Sequence, residues 1–251
     1  MAEPELKRHE SEWNLLGEMD PLWAVLTYPD RKFHGWDEDE FFRTGQHLVS
    51  RALETARRLA LPRRWDRALD FGCGVGRLTR ALSGHFRECV GVDISLSMIT
   101  AASALNHDLH NCAFLVNDKP DLSMFPSHHF DFVITLIVLQ HMPSSRLIFR
   151  YLEEAIRVLA PGGLFVFQLP TYISVRRRLQ LRRRAYTALS KLGIDHRFLY
   201  NRLRLHPMHM KYVPEKAIRM HVESLGAKLL CDISDDLAGA GIASRTYYVS
   251  R

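Results

Sequence analysis

A strand-like stretch that runs directly into three alternating glycines is the feature that most restricts how this chain can fold. Residues 68–77 read ALDFGCGVGR, and a helical pattern begins at Arg77. Glycine adopts positive φ angles and lets another molecule approach the backbone closely. A strand that turns in this way into a helix presents free backbone N–H groups to a ligand. The pattern predicts a strand–turn–helix unit with a ligand-binding turn.

The spacing of the glycines separates two classes of cofactor. Dinucleotide-binding turns follow G-x-G-x-x-G, whose last glycine lets the helix pack closely on the strand. Here the order is Gly72, Gly74 and Gly76, and Arg77 stands where that last glycine belongs. The spacing therefore disfavours a nicotinamide-dependent reductase.

A second acidic residue follows at the end of the next apolar run. Residues 89–93 read CVGVD, and Asp93 closes a βαβ unit. An acid at this place can accept hydrogen bonds from the two hydroxyls of a ribose. A helix is predicted over 95–106, with Ser95 as a candidate N-cap. Met98 in its first turn either packs on a flat ring of the ligand or belongs to the core.

The remaining pattern continues the alternation of strands and helices. Strands are predicted at 112–116, 130–138 and 164–169, with a helix at 145–159 and a turn at 160–163. The run 130–138 is almost wholly apolar, which is typical of a central parallel strand covered on both faces. A helix over 214–225 and strands at 228–231 and 244–250 complete the series. In an open sheet of this type, ligands bind at the carboxyl ends of the strands.

Several ordered motifs resemble the class I S-adenosylmethionine (SAM) methyltransferases, in the small-molecule branch similar to ubiquinone-biosynthesis methyltransferases. Besides the glycine turn, these are Asp118, the pairs 121–122 and 130–131, the triplet 139–141 and the run RVLAPGG at 157–163. The resemblance covers about residues 66–170. It implies a Rossmann-like α/β fold with a seven-stranded, mostly parallel sheet, helices on both faces and an antiparallel last strand. It also implies SAM as cofactor and S-adenosylhomocysteine (SAH) as product.

The resemblance assigns expected roles to individual residues. The expected cofactor-binding residues are Asp70, Gly72, Gly74, Asp93, Ile94, Met98, Asn117, Asp118 and Leu136. Asp70 suits the ammonium group of the methionyl part, and Asp118, with Asn117 beside it, suits the amino group of adenine. An ordinary Asx turn is the alternative for Asp118. Arg77 reaches the methionyl carboxylate or, as we expect, pairs on the helix surface.

His141 is the expected catalytic residue, because it lies just past the fourth strand and imidazole titrates near neutral pH. Its alternative role is to cap the following helix or to form a hydrogen bond with the backbone. Expected substrate contacts are His206, His209, Tyr212 and Trp36, against a simple packing role for each. A metal site formed by the three histidines is disfavoured, because no carboxylate cluster accompanies them.

Four regions are expected along the chain. Residues 1–65 form an aromatic-rich, helical N-terminal cover, in which 37–61 reads as one or two amphipathic helices. Residues 66–170 form the SAM-binding core. Residues 171–212 form a basic helical insertion on the substrate or partner side, and residues 213–251 supply the last helix and an edge hairpin.

The positive charge is concentrated in one region. The chain has a formal net charge of +6, and residues 171–212 carry eleven Lys and Arg against a single acid, Asp195. The densest run holds Arg176, Arg177, Arg178, Arg182, Arg183 and Arg184. Three interpretations stay open for it: a solvated helix face, a site for an anionic substrate, or contact with an anionic membrane surface. Nucleic acid is the least favoured partner.

Compartment and activity follow from these patterns as expectations. The four scattered cysteines, the absence of an 18-residue apolar run and a polar N-terminus favour a cytoplasmic protein. The expected function is methyl transfer from SAM to an O or N atom of a small organic acceptor, with anionic and lipophilic acceptors included. An RNA or peptide methyltransferase and a non-catalytic SAM-binding interaction protein are the alternatives. The oligomeric state does not follow from the sequence.

Overall fold

A computed structural model of the chain describes residues 2–239 and 241–251, without the side chains of Ala2, Glu3 and Arg176. The helices are α1 (Ala2–Met19), α2 (Pro21–Val25), α3 (Glu38–Arg58), α4 (Arg77–Leu82), α5 (Leu96–Leu105), α6 (Ser145–Val158), α7 (Val175–Arg178), α8 (Leu181–Lys191), α9 (His196–Asn201) and α10 (Glu215–Ser224), with 3₁₀ turns at Pro29–Arg31 and Leu139–His141. The strands are β1 (Arg67–Phe71), β2 (Glu88–Asp93), β3 (Cys112–Val116), β4 (Phe130–Thr135), β5 (Leu159–Ile173), β6 (Lys228–Asp235) and β7 (Ile242–Ser250).

The seven strands form one sheet in the order β3-β2-β1-β4-β5-β7-β6. The first five are parallel, and β7 runs antiparallel to both of its neighbours. This confirms the predicted mostly parallel, Rossmann-like sheet with an antiparallel last strand. The chain turns outward in both directions from β1 and β4, so a crevice opens at their carboxyl ends.

Alternate side chains of the central strands build two cores on opposite faces of the sheet. Val133 and Phe165 pack with residues of α6 and α10 on one face. Phe132 and Val166 pack with residues of α3 and α4 on the other. All six residues of β4 are buried, which explains its continuous apolar sequence.

The stretch 37–61, predicted as one or two helices, is the single helix α3, capped by Asp37, whose carboxylate accepts from the Glu40 N–H at 2.8 Å. Two other local predictions needed correction. β4 ends at Thr135, three residues before the end of its apolar run. The predicted turn at 160–163 is part of β5, where the register against β4 jumps between Phe130 and Phe132.

The N-terminal helices lie over the carboxyl ends of the strands. Asn14 of α1 accepts hydrogen bonds from the Ser95 hydroxyl and the Ser97 N–H, at 2.9 and 3.2 Å, and so fixes α1 to α5. Residues of α2 and of the segment after it join Met98 and Tyr200 in a third apolar cluster. In the described part of the chain, no helix combines the length and the apolar character that crossing a bilayer requires.

Candidate functional site

A cavity lies at the carboxyl ends of β1, β2 and β4, beneath α1 and α2. Its wall consists of Leu6, His9, Trp13, Ala24, Val25, Asp70, Phe71, Gly72, Cys73, Gly74, Arg77, Leu78, Asp93, Ile94, Met98, Asn117, Leu136, Ile137, Val138, His141, Met142 and Tyr151. The space inside it that is open to the centre of a water-sized molecule is about 80 Å³.

The glycine turn forms the floor of the cavity. Gly72 and Gly74 have φ angles of +77° and +53°, which favour glycine. A Cβ atom on Gly72 would lie 2.3 Å from Cγ1 of Val138, and one on Gly74 would lie 2.4 Å from Cγ2 of Val25. Any larger residue would therefore collide with the segment after β4 or with the covering helix α2.

Asp93 ties the second strand to the glycine turn. One carboxylate oxygen accepts from the Gly74 N–H and the other from the Ser95 N–H, both at 2.9 Å. Burial raises the pKa of Asp93, and these backbone N–H donors act in the opposite direction. Each oxygen keeps a second lone pair, so the carboxylate can still accept hydrogen bonds from a ligand.

Asp70 and Arg77 are two buried charged residues in the cavity wall. Asp70 accepts from the Thr79 hydroxyl at 2.7 Å, and burial raises its pKa to about 6. Arg77 is only 2% exposed, so the expected surface pairing of this residue is wrong. Its Nη1 donates to the Thr44 hydroxyl, while its Nε has no hydrogen-bond partner among the described residues. A buried, unsatisfied guanidinium N–H beside a cavity can bind an anion.

The expected adenine contacts separate in the structure. Asn117 is buried in the cavity wall and donates to the Asp121 carbonyl at 2.9 Å. Asp118 is exposed, and it is not among the described residues that line the cavity, which corrects its expected place. Met98 is fully buried and is part both of the cavity wall and of the third apolar cluster, and its packing on a ring of the ligand stays a prediction.

A chain of hydrogen bonds holds the segment after β4. Ile137 has a φ of +64°, an unusual value for a β-branched residue, and its N–H donates to the Gln168 side chain at 3.1 Å. Gln168 donates to Gln140 at 3.5 Å, and the Gln140 amide lies 3.2 Å from Nε2 of His141. Such an outlier beside a cavity marks a segment whose shape is imposed by its surroundings.

The same network fixes the tautomer of His141. Its Nδ1 lies 2.7 Å from the carbonyl oxygen of His209, and because a carbonyl only accepts, Nδ1 carries the hydrogen. Nε2 is then the acceptor. Burial lowers the pKa of His141, so the ring is neutral at physiological pH.

His9 of α1 also lines the cavity, although no sequence motif points to it. The ring is 5% exposed, and its Nδ1 has no hydrogen-bond partner within the described residues. Burial lowers its pKa to about 3, with further lowering by His209 and His141. The ring of Trp13 lies between the rings of His9 and His141, and it is 5.6 Å from that of His141. Only the placement of α1 over the sheet reveals these two residues.

The expected substrate contacts lie in three different places. His206 and His209 line a second, adjoining cavity. Tyr212 belongs to a small apolar cluster with Ile173 and is not among the described residues that line these two cavities. Trp36 packs among aromatic residues and donates to the Leu26 carbonyl at 3.1 Å. This position agrees with the packing role that was the alternative for Trp36, and its contact with substrate stays a prediction. Searching the described residues gives no group of three or more His, Cys, Asp or Glu arranged for a metal ion.

The sheet order and the cavity together define a Rossmann-like α/β protein with a cofactor site at the switch point of the sheet. Comparison with known proteins shows which members of this fold class the chain is similar to. Residues 69–167 match the family model Methyltransf_11, described as a methyltransferase domain. Demethylmenaquinone methyltransferase of Staphylococcus saprophyticus is 35% identical over 104 residues, 40% of this chain and 43% of that protein. Ubiquinone biosynthesis O-methyltransferase of Coxiella burnetii is 28% identical over 163 residues, 62% of this chain and 55% of that protein.

A solved structure extends the likeness in fold to almost the whole chain. Magnesium protoporphyrin IX methyltransferase from Synechocystis PCC 6803, with bound SAH, superposes with a TM-score of 0.63 at 18% identity, covering 98% of this chain and 99% of that one. The chain spans about half the length of the curated relatives it matches. Residues 69–167 thus match a methyltransferase domain, and the fold of the chain is that of SAM-dependent methyltransferases.

Proposed function

We propose that the protein transfers the methyl group of SAM to an O or N atom of a small organic acceptor. The observation that carries the proposal is the meeting of the glycine turn, Asp70, Asp93 and His141 in the wall of one covered cavity. The donor side of the cavity, formed by the residues after β1, β2 and β3, binds the cofactor. The acceptor side, formed by α1 and the segment after β4, binds the acceptor. The cytoplasmic location stays a proposal from the sequence alone.

The donor side offers a partner for each polar part of SAM. Asp93 accepts from the ribose hydroxyls, and Asn117 replaces Asp118 as the neighbour of the adenine. Asp70 faces the ammonium group, and the free Nε of Arg77 donates to the methionyl carboxylate. The bound cofactor supplies a methyl group that is already activated on a sulfonium. The protein therefore has mainly to align donor and acceptor, which can supply about 7–11 kcal/mol.

His141 serves as the base that takes a proton from the acceptor. Its Nε2 exchanges the Gln140 amide for the hydroxyl or amine of the acceptor, while Nδ1 keeps its bond to the His209 carbonyl. A neutral ring with a fixed tautomer has the protonation state that this step needs. The helices α1 and α2 cover the cavity and exclude water.

Titration calorimetry with SAM and with SAH tests the cofactor site. We expect saturable binding of both, and Asp93→Ala should weaken it at least about tenfold, because two charge-assisted hydrogen bonds to the ribose are lost. Far-UV circular dichroism of the variant serves as the folding control. Affinity that is unchanged in Asp93→Ala would remove the ribose role. No heat with either compound would remove the proposed function.

SAH release measured in the presence of a pool of metabolites tests turnover. Release that depends on the added pool supports the transferase, whereas binding of SAM without release would favour the non-catalytic alternative. An RNA or peptide acceptor remains the second enzymatic alternative, and SAH release that requires RNA or peptide would favour it.

A further inference from the structure

A second cavity, here called the basic groove, adjoins the first and shares one side chain with it. Its wall consists of Thr27, His141, Ile173, Ser174, Arg177, Gln180, Leu181, Arg182, Arg183, His206, Met208, His209, Met210, Gly241 and Ile242. The groove lies between the insertion and the end of β5. Because His141 belongs to both walls, a molecule bound in the groove can extend to the imidazole that faces the cofactor cavity.

The charge of the groove wall has a single sign. Arg177, Arg182 and Arg183 supply three cations, and the described lining contains no Asp or Glu. Burial lowers the pKa of His206 and of His209 to about 4, so both rings are neutral at pH 7. The positive charge therefore resides on the arginines. Glu12 of α1 is the acid that acts on Arg183, and it lies outside this wall.

These three arginines have no carboxylate partner within the described residues. Arg183 donates through Nε to the Pro207 carbonyl at 3.0 Å, which holds the guanidinium in place and leaves its other N–H groups available.

The neighbouring arginines differ. Arg178 donates to the Ile173 carbonyl at 2.8 Å and lies over the Tyr212 ring at 4.4 Å. Arg184 is exposed and does not line the groove. The side chain of Arg176 lies outside the described residues. Among the described side chains of the basic run, those of Arg177, Arg182 and Arg183 therefore line the groove, whereas those of Arg178 and Arg184 do not.

Apolar side chains share the wall with the arginines. They are Ile173, Leu181, Met208, Met210 and Ile242. A wall of this composition suits a molecule with an apolar body and an anionic head, because guanidinium groups bind phosphate or carboxylate through paired N–H donors.

We propose that the basic groove binds the phosphate or carboxylate head of an amphipathic acceptor, whose reacting atom then lies at His141. This inference rests on the proposed function. It assigns Arg177, Arg182 and Arg183 to substrate recognition, and it places the specificity of the enzyme in the insertion rather than in the methyltransferase core.

Binding of phenyl phosphate to the SAH-loaded protein tests the inference. Its neutral dimethyl ester is the matched probe without charge, and inorganic phosphate is the probe without the ring. We expect phenyl phosphate to bind at least about tenfold more tightly than either. Arg182→Gln should weaken this binding about tenfold or more, since one charge-assisted contact is lost. Arg184→Gln, a neighbour on the same helix outside the groove, should change it less than twofold.

The affinity for SAH, measured on the same samples, should be unchanged in both variants. Equal loss of phenyl phosphate binding in the Arg182 and Arg184 variants would overturn the inference, because it would show attraction by net charge alone. Binding to phosphatidylglycerol vesicles without binding to phenyl phosphate would also overturn it and point to a lipid surface. Absence of phenyl phosphate binding in protein that still binds SAH would refute the groove and leave the proposed function intact. If the unmodified protein does not bind SAH at all, the result would instead refute the proposed function.

Discussion

The donor side of the cavity is shaped by backbone geometry, whereas the acceptor side is assembled from side chains that are far apart in the chain. On the donor side, the Asp93 carboxylate is held by two backbone N–H groups, and the turn at Gly72 and Gly74 comes from adjacent residues. On the acceptor side, His141 is held by the carbonyl of His209, and His9 arrives from the first helix.

This difference shows which part of the site follows from the sheet topology and which part depends on other segments of the chain. The carboxyl ends of parallel strands meet at one edge of the sheet in any protein with this topology. Besides the segment after β4, the acceptor side depends on α1 and on the insertion, and these two lie outside the segment 69–167 that matches the methyltransferase family. Acceptor specificity is therefore expected to change by substitution in these added segments while the cofactor site stays the same.

The largest expected effect would separate the two sides directly. His141→Ala should lower the rate of methyl transfer about 100-fold or more, because a placed base contributes about 10²–10⁴-fold. The affinity for SAH, measured by calorimetry, should change little. His110→Ala, which alters an exposed histidine outside both cavity walls, is the matched control. Full activity of the His141 variant would mean that the acceptor needs no base.

A second prediction uses the titration of the donor side. Burial raises the pKa of Asp70 from 3.8 to about 6, so the folded protein protonates this carboxyl on going below pH 6. The ionised form attracts the ammonium group of SAM. Affinity for SAM should therefore be highest above pH 6 and fall about tenfold by pH 5, since roughly one molecule in ten is then ionised.

Calorimetric titrations from pH 5 to 8 measure this dependence. Asp70→Asn should bind SAM more weakly at pH 8 and lose most of the change between pH 6 and pH 5. The pH dependence of folding stability has the opposite sign to that of SAM binding. Because the folded pKa of Asp70 is above the unfolded one, the carboxylate costs stability above pH 6, and this cost is relieved as pH falls from 6 toward 4. An Asn variant that keeps the full pH dependence of binding would assign it to another group.

The location of Asp70 and Asp93 in the cavity wall could be predicted from the sequence, because the signals are local. Asp70 and Asp93 each end an apolar run, and an acid at the end of a parallel strand must lie near the crevice. The burial of Arg77 escaped prediction because it depends on α3, whose Gly45 lets the backbone of Arg77 approach closely: a Cβ there would lie 2.3 Å from the Arg77 carbonyl oxygen. The family motif points to Asp118, but its neighbour Asn117 is the residue that is buried in the structure.

The acceptor side could not be predicted to the same depth, because its signals are tertiary. The aromatic residues near the N-terminus indicated a cover, but nothing in their order shows that Trp13 and His9 reach the cavity while Trp36 packs away from it. Likewise, the positive φ of Ile137 has no sequence signature, since β-branched residues disfavour that conformation everywhere. Such features arise only from the packing of distant segments.

The smallest expected effect concerns the residue that connects the two sides. Gln168 is fully buried in β5 and accepts from the strained Ile137 N–H while donating toward Gln140, which in turn contacts His141. Gln168→Met keeps the volume and removes both hydrogen bonds. We expect about a three- to tenfold loss of kcat, because the imidazole is less well positioned, with little change in the affinity for SAH.

A purely structural role for Gln168 would give a different result. Loss of stability alone would lower the melting temperature and reduce active protein without changing the pH profile of the remaining activity. Misplacement of His141 should instead shift the acidic limb of the kcat profile, because the Gln140 amide no longer holds the lone pair of Nε2. If kcat and its pH profile are unchanged in Gln168→Met, the hydrogen-bond chain from β5 does not position the base. The His141 ring would then be held by the His209 carbonyl and not by this chain.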